Sequence, residues 1–146
     1  MPETMTAGAI TPSKPRFLTQ EKLRFGDQDV QGHVNNSVYS TLFECSRVDF
    51  QTCGKCLTLD ARQLVVIASI TIDFRRELHW PATVEIRLGV SRIGRSSFGF
   101  MQELWTGDTM VATARSTQVV IDEITRRSTP LSQAQCDQLA HWIVES

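Results

Sequence analysis

Long apolar runs are missing from this chain. No stretch of about 18 consecutive apolar residues occurs, so nothing in it reads as a membrane-spanning helix. The opening residues, MPETMTAGAITPSKP, also lack the basic start and apolar core of a secretion signal, and the expectation is a soluble cytoplasmic protein without membrane insertion. Charge of one sign is not in excess. With 15 basic and 16 acidic residues the formal net charge is −1, which excludes a broad field for recruiting nucleic acid or an anionic membrane. The four cysteines, without a secretion signal, give no disulfide framework in a chain this long, and reduced thiols are expected. Cys53-Gly54-Lys55-Cys56 has the C-x-x-C spacing, yet neither a second such pair nor an H-x-x-x-H supplies further ligands. The pair also follows a helical stretch, where a thioredoxin-like site would open one. No metal and no redox cofactor are therefore expected.

What is present suits one domain with an ordinary core: 146 residues, 41% of them apolar. Residues 1–15 are small and polar with no apolar period, a flexible lead-in to a domain spanning 16–146. Phe17 to Phe25 reads as a first strand running into a turn at Gly26, with a helix as the second reading. From Asn36 the apolar positions Val38, Tyr39, Leu42, Phe43, Cys45 and Phe50 follow a helical period over a wide face, predicting a mostly buried helix of about 17 residues. Asn35 or Asn36 caps it and Gly54 stops it.

Beyond it, Leu64, Val66, Ala68, Ile70, Ile72 and Phe74 share one parity, predicting a long half-buried strand with that row inward. Val84, Ile86, Leu88 and Val90 mark a second strand, Phe98 and Phe100 a third, and Met110 to Ile121 a fourth with Ala112 and Ala114 on one face. Turns at 93–95 and 106–108 join them. Ser132 and Gln135 form a capping box for a short C-terminal helix with Leu139, Trp142 and Ile143 as its apolar stripe. Short turns mean antiparallel neighbours, since parallel ones would need crossover helices. The expectation is an α+β fold: a five-stranded antiparallel sheet around one central helix. Its exposed edges would be relieved by pairing two copies edge to edge.

Polar groups crowd into one stretch, Arg24 to Arg47, which holds two aspartates, two asparagines and a histidine beside the helix start. A loop carboxylate beside free helix N–H groups places a candidate base or nucleophile next to donors for a developing negative charge. Read from the residues alone, Asp29 is first of all a loop acid, solvated or bonding nearby amides as in an Asx turn. The residues Asp27-Gln28-Asp29, Gly32-His33-Val34-Asn35-Asn36, Tyr39 and Glu44-x-x-Arg47 resemble the motif of hotdog-fold acyl-CoA thioesterases, closest to the 4-hydroxybenzoyl-CoA thioesterase group in its fatty acyl branch.

The resemblance implies a hotdog fold, a homodimer or homotetramer with active sites where subunits meet, and hydrolysis of a fatty or aryl acyl-CoA. It makes Asp29 the catalytic carboxylate, as nucleophile or general base, and gives the backbone amides of His33 and Val34 to the thioester oxygen. Asp27 is then a structural or supporting acid. Gly32 lets the backbone approach substrate, Asn35 and Asn36 cap or position, and Tyr39 belongs to the core or touches substrate. Ser96 and Ser97 resemble a segment beside the pantetheine arm, while Arg75, Arg76, Arg92 and Arg95 are candidates for the phosphates of coenzyme A. Asn36 departs from a histidine found in another branch and cannot exchange a proton at neutral pH. Glu44 is a lesser alternative for catalysis, its plainer role being an ion pair with Arg47. Two further readings keep the fold: an acyl-carrier-protein thioesterase, with the arginines facing an acidic partner, and a non-catalytic acyl-binding module.

Overall fold

The computed structural model describes residues 15–144. The expected lead-in at 1–15 thus falls almost wholly outside the described residues. Five strands and two α-helices follow in order: β1 (Phe17–Lys22), α1 (Asn36–Thr52), β2 (Gln63–Phe74), β3 (Thr83–Ile93), β4 (Ser97–Thr106), β5 (Thr109–Asp122) and α2 (Gln133–Ala140). All five strands form one sheet in the order β1-β3-β4-β5-β2, and every neighbouring pair is antiparallel. β1 stops at Lys22, short of the expected Phe25, because Phe25–Asp27 turns into a 3-10 helix.

α1 begins where the asparagines predict. Asn35 is the N-cap, its side-chain oxygen accepting the Ser37 N–H, and Gly54 just past the helix has φ +79°. Tyr39, Leu42, Phe43, Ser46, Arg47 and Phe50 are its buried residues, a stripe of i, i+3, i+4 spacing laid against the sheet. Phe43 and Phe50 are fully buried, each contributing about 1.5–3 kcal/mol by area. Around the start of α1, Tyr39, Leu42 and Phe43 pack with Leu23, Val84, Ile86, Leu104, Ala112 and Ala114. Around its end, Phe50 packs with Leu57, Leu88, Val90, Phe98, Phe100 and Leu139. Arg47 in mid-stripe meets Gln102, not Glu44: its guanidinium donates to Gln102 Oε1 at 3.3 Å, and the Gln102 amide donates to the Phe43 carbonyl at 2.9 Å.

β2 departs from its expected parity. A bulge between Ile67 and Ser69 shifts the register against β5, so the inward row changes side along the strand. Val65 packs on the core before the bulge and Ile72 after it, while Leu64 and Val66 are turned out. β2 is also a sheet edge, which leaves Leu64, Val66, Ile67, Ile70 and Phe74 exposed. The chain end adds a short patch to β3: Val90 exchanges backbone hydrogen bonds with Trp142 and Val144. The Ser132–Gln135 capping box starts α2, but α2 ends at Ala140, so Trp142 and Ile143 pack from beyond the helix.

Candidate active site

The loop between β1 and α1 folds back on itself as a small hairpin. Gln28 and Val34 form an isolated bridge, the Asp29 N–H donates to the His33 carbonyl at 2.7 Å, and the Gly32 N–H donates to the Asp29 carbonyl at 3.1 Å. Gly32 has φ +83°, the left-handed region that favours glycine at such a tip. Asp27 anchors the hairpin's base. It is buried, its carboxylate accepts from the Arg24 backbone and guanidinium, and its carbonyl accepts the Asn35 N–H. These contacts make it the structural acid of the pair.

Asp29 does what an Asx turn does. Its Oδ1 accepts the Gln31 N–H at 2.8 Å and the His33 N–H at 3.2 Å, while Oδ2 accepts no hydrogen bond from the described residues. This bears directly on the amides expected to hold an oxyanion. The His33 N–H is turned to Asp29, and the Val34 N–H donates to the Leu78 carbonyl at 2.9 Å. Both are engaged within the chain, because the hairpin must satisfy its own backbone. Asn36, the first helical residue, is different: its N–H has no partner among the described residues, as the first-turn amides of a helix require.

A cleft of about 280 Å³ opens beside this helix start, lined by His33, Val34, Asn36, Tyr39, Phe74, Arg75, Arg76, Glu77 and Leu78. A wider groove of about 910 Å³ continues from it past Phe74, Arg75 and Arg76 to Asp73, Asp108, Thr109 and Met110. Tyr39 belongs to both readings made of it. It is a buried core residue, edge-on to Phe74 at 4.9 Å, and it also lines the cleft. Burial pushes its phenol pKa up, against the lowering contact with the Leu78 backbone and with help from the Glu77 charge, so it stays a neutral hydroxyl at neutral pH.

Not every expected residue gathers here. Arg75 and Arg76 line the cleft, but Arg92 lies in a separate hollow with Arg115, Ser69 and Thr71. Ser96 and Ser97 sit at the opposite end of the sheet: Ser97 pairs with Val119 and Val119 with Val66, whereas Phe74 pairs with Ala112. Seven rungs of β5, roughly 24 Å, separate those levels. Glu44 is exposed on α1. Phe74 was expected only as the last of the β2 row, and Glu77 and Leu78, in the β2–β3 connection, carry no motif that singles them out from sequence.

The Cys53 and Cys56 sulfurs lie 3.7 Å apart past the end of α1, and all four cysteines are free thiols. Burial and the hydrogen bond and charge of Cys53 push Cys56 up to about 12. At Cys53 the raising effect of burial is outweighed by the Lys55 and Cys56 amides, the Cys56 thiol and the Lys55 charge, and its pKa is lowered.

Comparison with known proteins places the geometry. The model of the thioesterase-like superfamily matches residues 23–143. Among solved structures, a Bacillus stearothermophilus protein described as a predicted thioesterase superposes with TM-score 0.80 at 24% identity, covering 90% of this chain and 99% of that one. DHNA-CoA thioesterase from Staphylococcus aureus superposes with TM-score 0.74 at 17% identity, covering 87% and 88%. A hypothetical protein of the same organism, solved in complex with CoA, gives 0.77 at 18%, covering 88% and 84%. No curated protein sequence matches the chain. Among the described residues no helix is long and apolar enough to cross a membrane. With its antiparallel sheet around a central helix and a match that runs through both the Asp29 hairpin and the strands, the chain belongs to the thioesterase-like superfamily of hotdog-fold thioester hydrolases.

Proposed function

We propose that this protein hydrolyses an acyl-CoA thioester to free acid and coenzyme A, with Asp29 as the reacting carboxylate and the Asn36 N–H as oxyanion donor. One observation carries the reading: a carboxylate held by one oxygen, the other without a partner among the described residues, stands one short hairpin from a helix whose first amide is likewise unpartnered among them and borders a cleft. Either Asp29 deprotonates a water that attacks the carbonyl carbon and gives the free acid directly, or Asp29 attacks it and forms a mixed anhydride that water then hydrolyses to the free acid. The carbonyl oxygen takes the negative charge, the C–S bond breaks, and the thiolate leaves to be protonated. The positive end of α1 and the Asn36 N–H favour that charge, and a donor of this kind is worth about 3–4 kcal/mol of barrier.

The cleft wall of Phe74, Tyr39, Val34 and Leu78 suits the acyl group, and Arg75 and Arg76 in the adjoining groove suit phosphates. A complete site needs a second copy. Antiparallel pairing of β2 with a partner's β2 would set the partner's Gln63 end beside this chain's Phe74 end. That carries the partner's Ser96–Ser97 turn toward the cleft from which this chain's own turn is remote. The exposed apolar row of β2 supports this arrangement.

Thiol release from a panel of fatty and aryl acyl-CoAs and from acyl-[acyl carrier protein] tests the substrate class. Saturable release from acyl-CoA supports the proposal. Release only from the carrier protein, falling steeply with salt, would give the arginines to an acidic partner, and release from none would leave an acyl-binding module.

A further inference from the structure

Two histidines and a glutamate meet at the rim of the cleft in an arrangement that thioester hydrolysis does not use. His33 comes from the hairpin before α1, Glu77 and His79 from the connection between β2 and β3. His33 Nε2 lies 3.5 Å from Glu77 Oε1, His79 Nε2 lies 3.3 Å from the same oxygen, and the donor atoms of all three are within 4.8 Å of one another. We propose that His33, Glu77 and His79 form a binding site for a divalent cation of the zinc type, which clasps the Asp29 hairpin to the β2–β3 connection.

The distances carry the first part of the argument. An ion bound tetrahedrally at about 2.0–2.1 Å to nitrogen and oxygen sets its donors about 3.3–3.4 Å apart. The two edges to Glu77 Oε1, 3.5 and 3.3 Å, are close to that length, and the third donor pair lies within 4.8 Å. Two imidazoles and one carboxylate also select borderline divalent ions over calcium or magnesium, which take all-oxygen shells.

Orientation carries the second part. His79 Nδ1 is 3.3 Å from the Gly32 carbonyl. A proton on Nδ1 donated to that carbonyl leaves Nε2 bare and directed at Glu77, the outer-shell support that metal-bound histidines characteristically have. The two rings meet edge to face at 5.2 Å and 81°. Side-chain exposures of 38% for His33, 64% for Glu77 and 54% for His79 leave an entry path and at least one open coordination position.

Binding would have a consequence for the hairpin. The His33 backbone N–H is one of the two that hold Asp29 Oδ1, and Gly32 is the neighbouring turn residue. An ion on the His33 imidazole therefore fixes the hairpin on the side where Asp29 is anchored, while Glu77 forms part of the cleft wall. The site stands on its own geometry, whether or not acyl-CoA is the substrate.

The test uses Co²⁺ as spectroscopic probe and Zn²⁺ as competitor, in a Cys53→Ser background because the Cys53–Cys56 pair would also take soft cations. The expected result is one Co²⁺ per chain with visible d–d bands that Zn²⁺ abolishes, and a melting temperature raised by roughly 5–10 °C at about 100 times Kd. His79→Gln and Glu77→Gln should each weaken binding by at least about tenfold, while His141→Gln, outside the cluster, leaves it unchanged. No d–d bands up to about 1 mM Co²⁺, or bands that survive His79→Gln, would overturn the proposal and leave the three residues a hydrogen-bonded clasp.

Discussion

Asn35 and Asn36 divide two tasks between adjacent positions. Asn35 spends its side chain on the Ser37 N–H and so starts the helix; Asn36 contributes through its backbone, whose N–H no described residue accepts. Proline is well tolerated at the first helical position, and Asn35 already has φ −63° and ψ 138°, the extended conformation that a following proline demands. Asn36→Pro should therefore remove the donor without unfolding the helix. The expected outcome is a kcat lowered by about 100- to 1000-fold with a melting temperature close to native, while Asn36→Ala, which keeps the N–H, retains most of the activity. A second expectation at this scale concerns thiols. With the Cys53 pKa lowered, and Cys45 raised by burial and nearby acids, iodoacetamide should label Cys53 first as pH rises from 6 toward 9, with Cys56 last, as read by peptide mass spectrometry. Asp29 and the capping asparagines were legible in the sequence because loop acids and caps act through neighbours a few residues away. The engagement of the Val34 amide was not, since its acceptor, Leu78, is 44 residues further on. Glu77 and His79 escaped notice for the same reason: only the fold brings them to His33.

Elements were legible in proportion to how fully one face of each is buried. β3 has Val84, Ile86, Leu88 and Val90 all fully buried at the expected parity, and α1 keeps its expected 17 residues. β2 was not, because an edge strand has little inward surface to enforce alternation and a bulge can change its parity at small cost. The C-terminal segment shows a contact that no periodicity could reveal. A Cβ added at Gly89 would lie 2.6 Å from Val144 Cγ1, so the glycine is what lets the chain end lie on β3. Gly89→Ala should destabilise the protein by about 1–3 kcal/mol in urea unfolding, and Val144→Ala should recover part of that loss by making room. If the double variant were no more stable than Gly89→Ala alone, the contact would not be the cause.

For the whole molecule, β2 is an edge strand with exposed apolar residues, and its outer side has no strand partner among the described residues, which an isolated chain would carry as a liability. Edge pairing between copies, as proposed, would relieve it and bring the Ser96–Ser97 turn to a neighbour's cleft. Ile67→Asp, a charge set on that edge, should lower the mass in light scattering toward one chain and reduce activity together with it; a native mass with native activity would speak against pairing through β2. Whether the Asp29 carboxylate carries the hydrolysis is decided by steady-state thiol release by Asp29→Asn on the best acyl-CoA substrate. Asparagine preserves an oxygen for the Gln31 and His33 amides but neither attacks nor accepts a proton. In Asp29→Asn, kcat should fall by at least about 100-fold, with circular dichroism and melting temperature near native. Turnover within about twofold of native in that folded variant would contradict it.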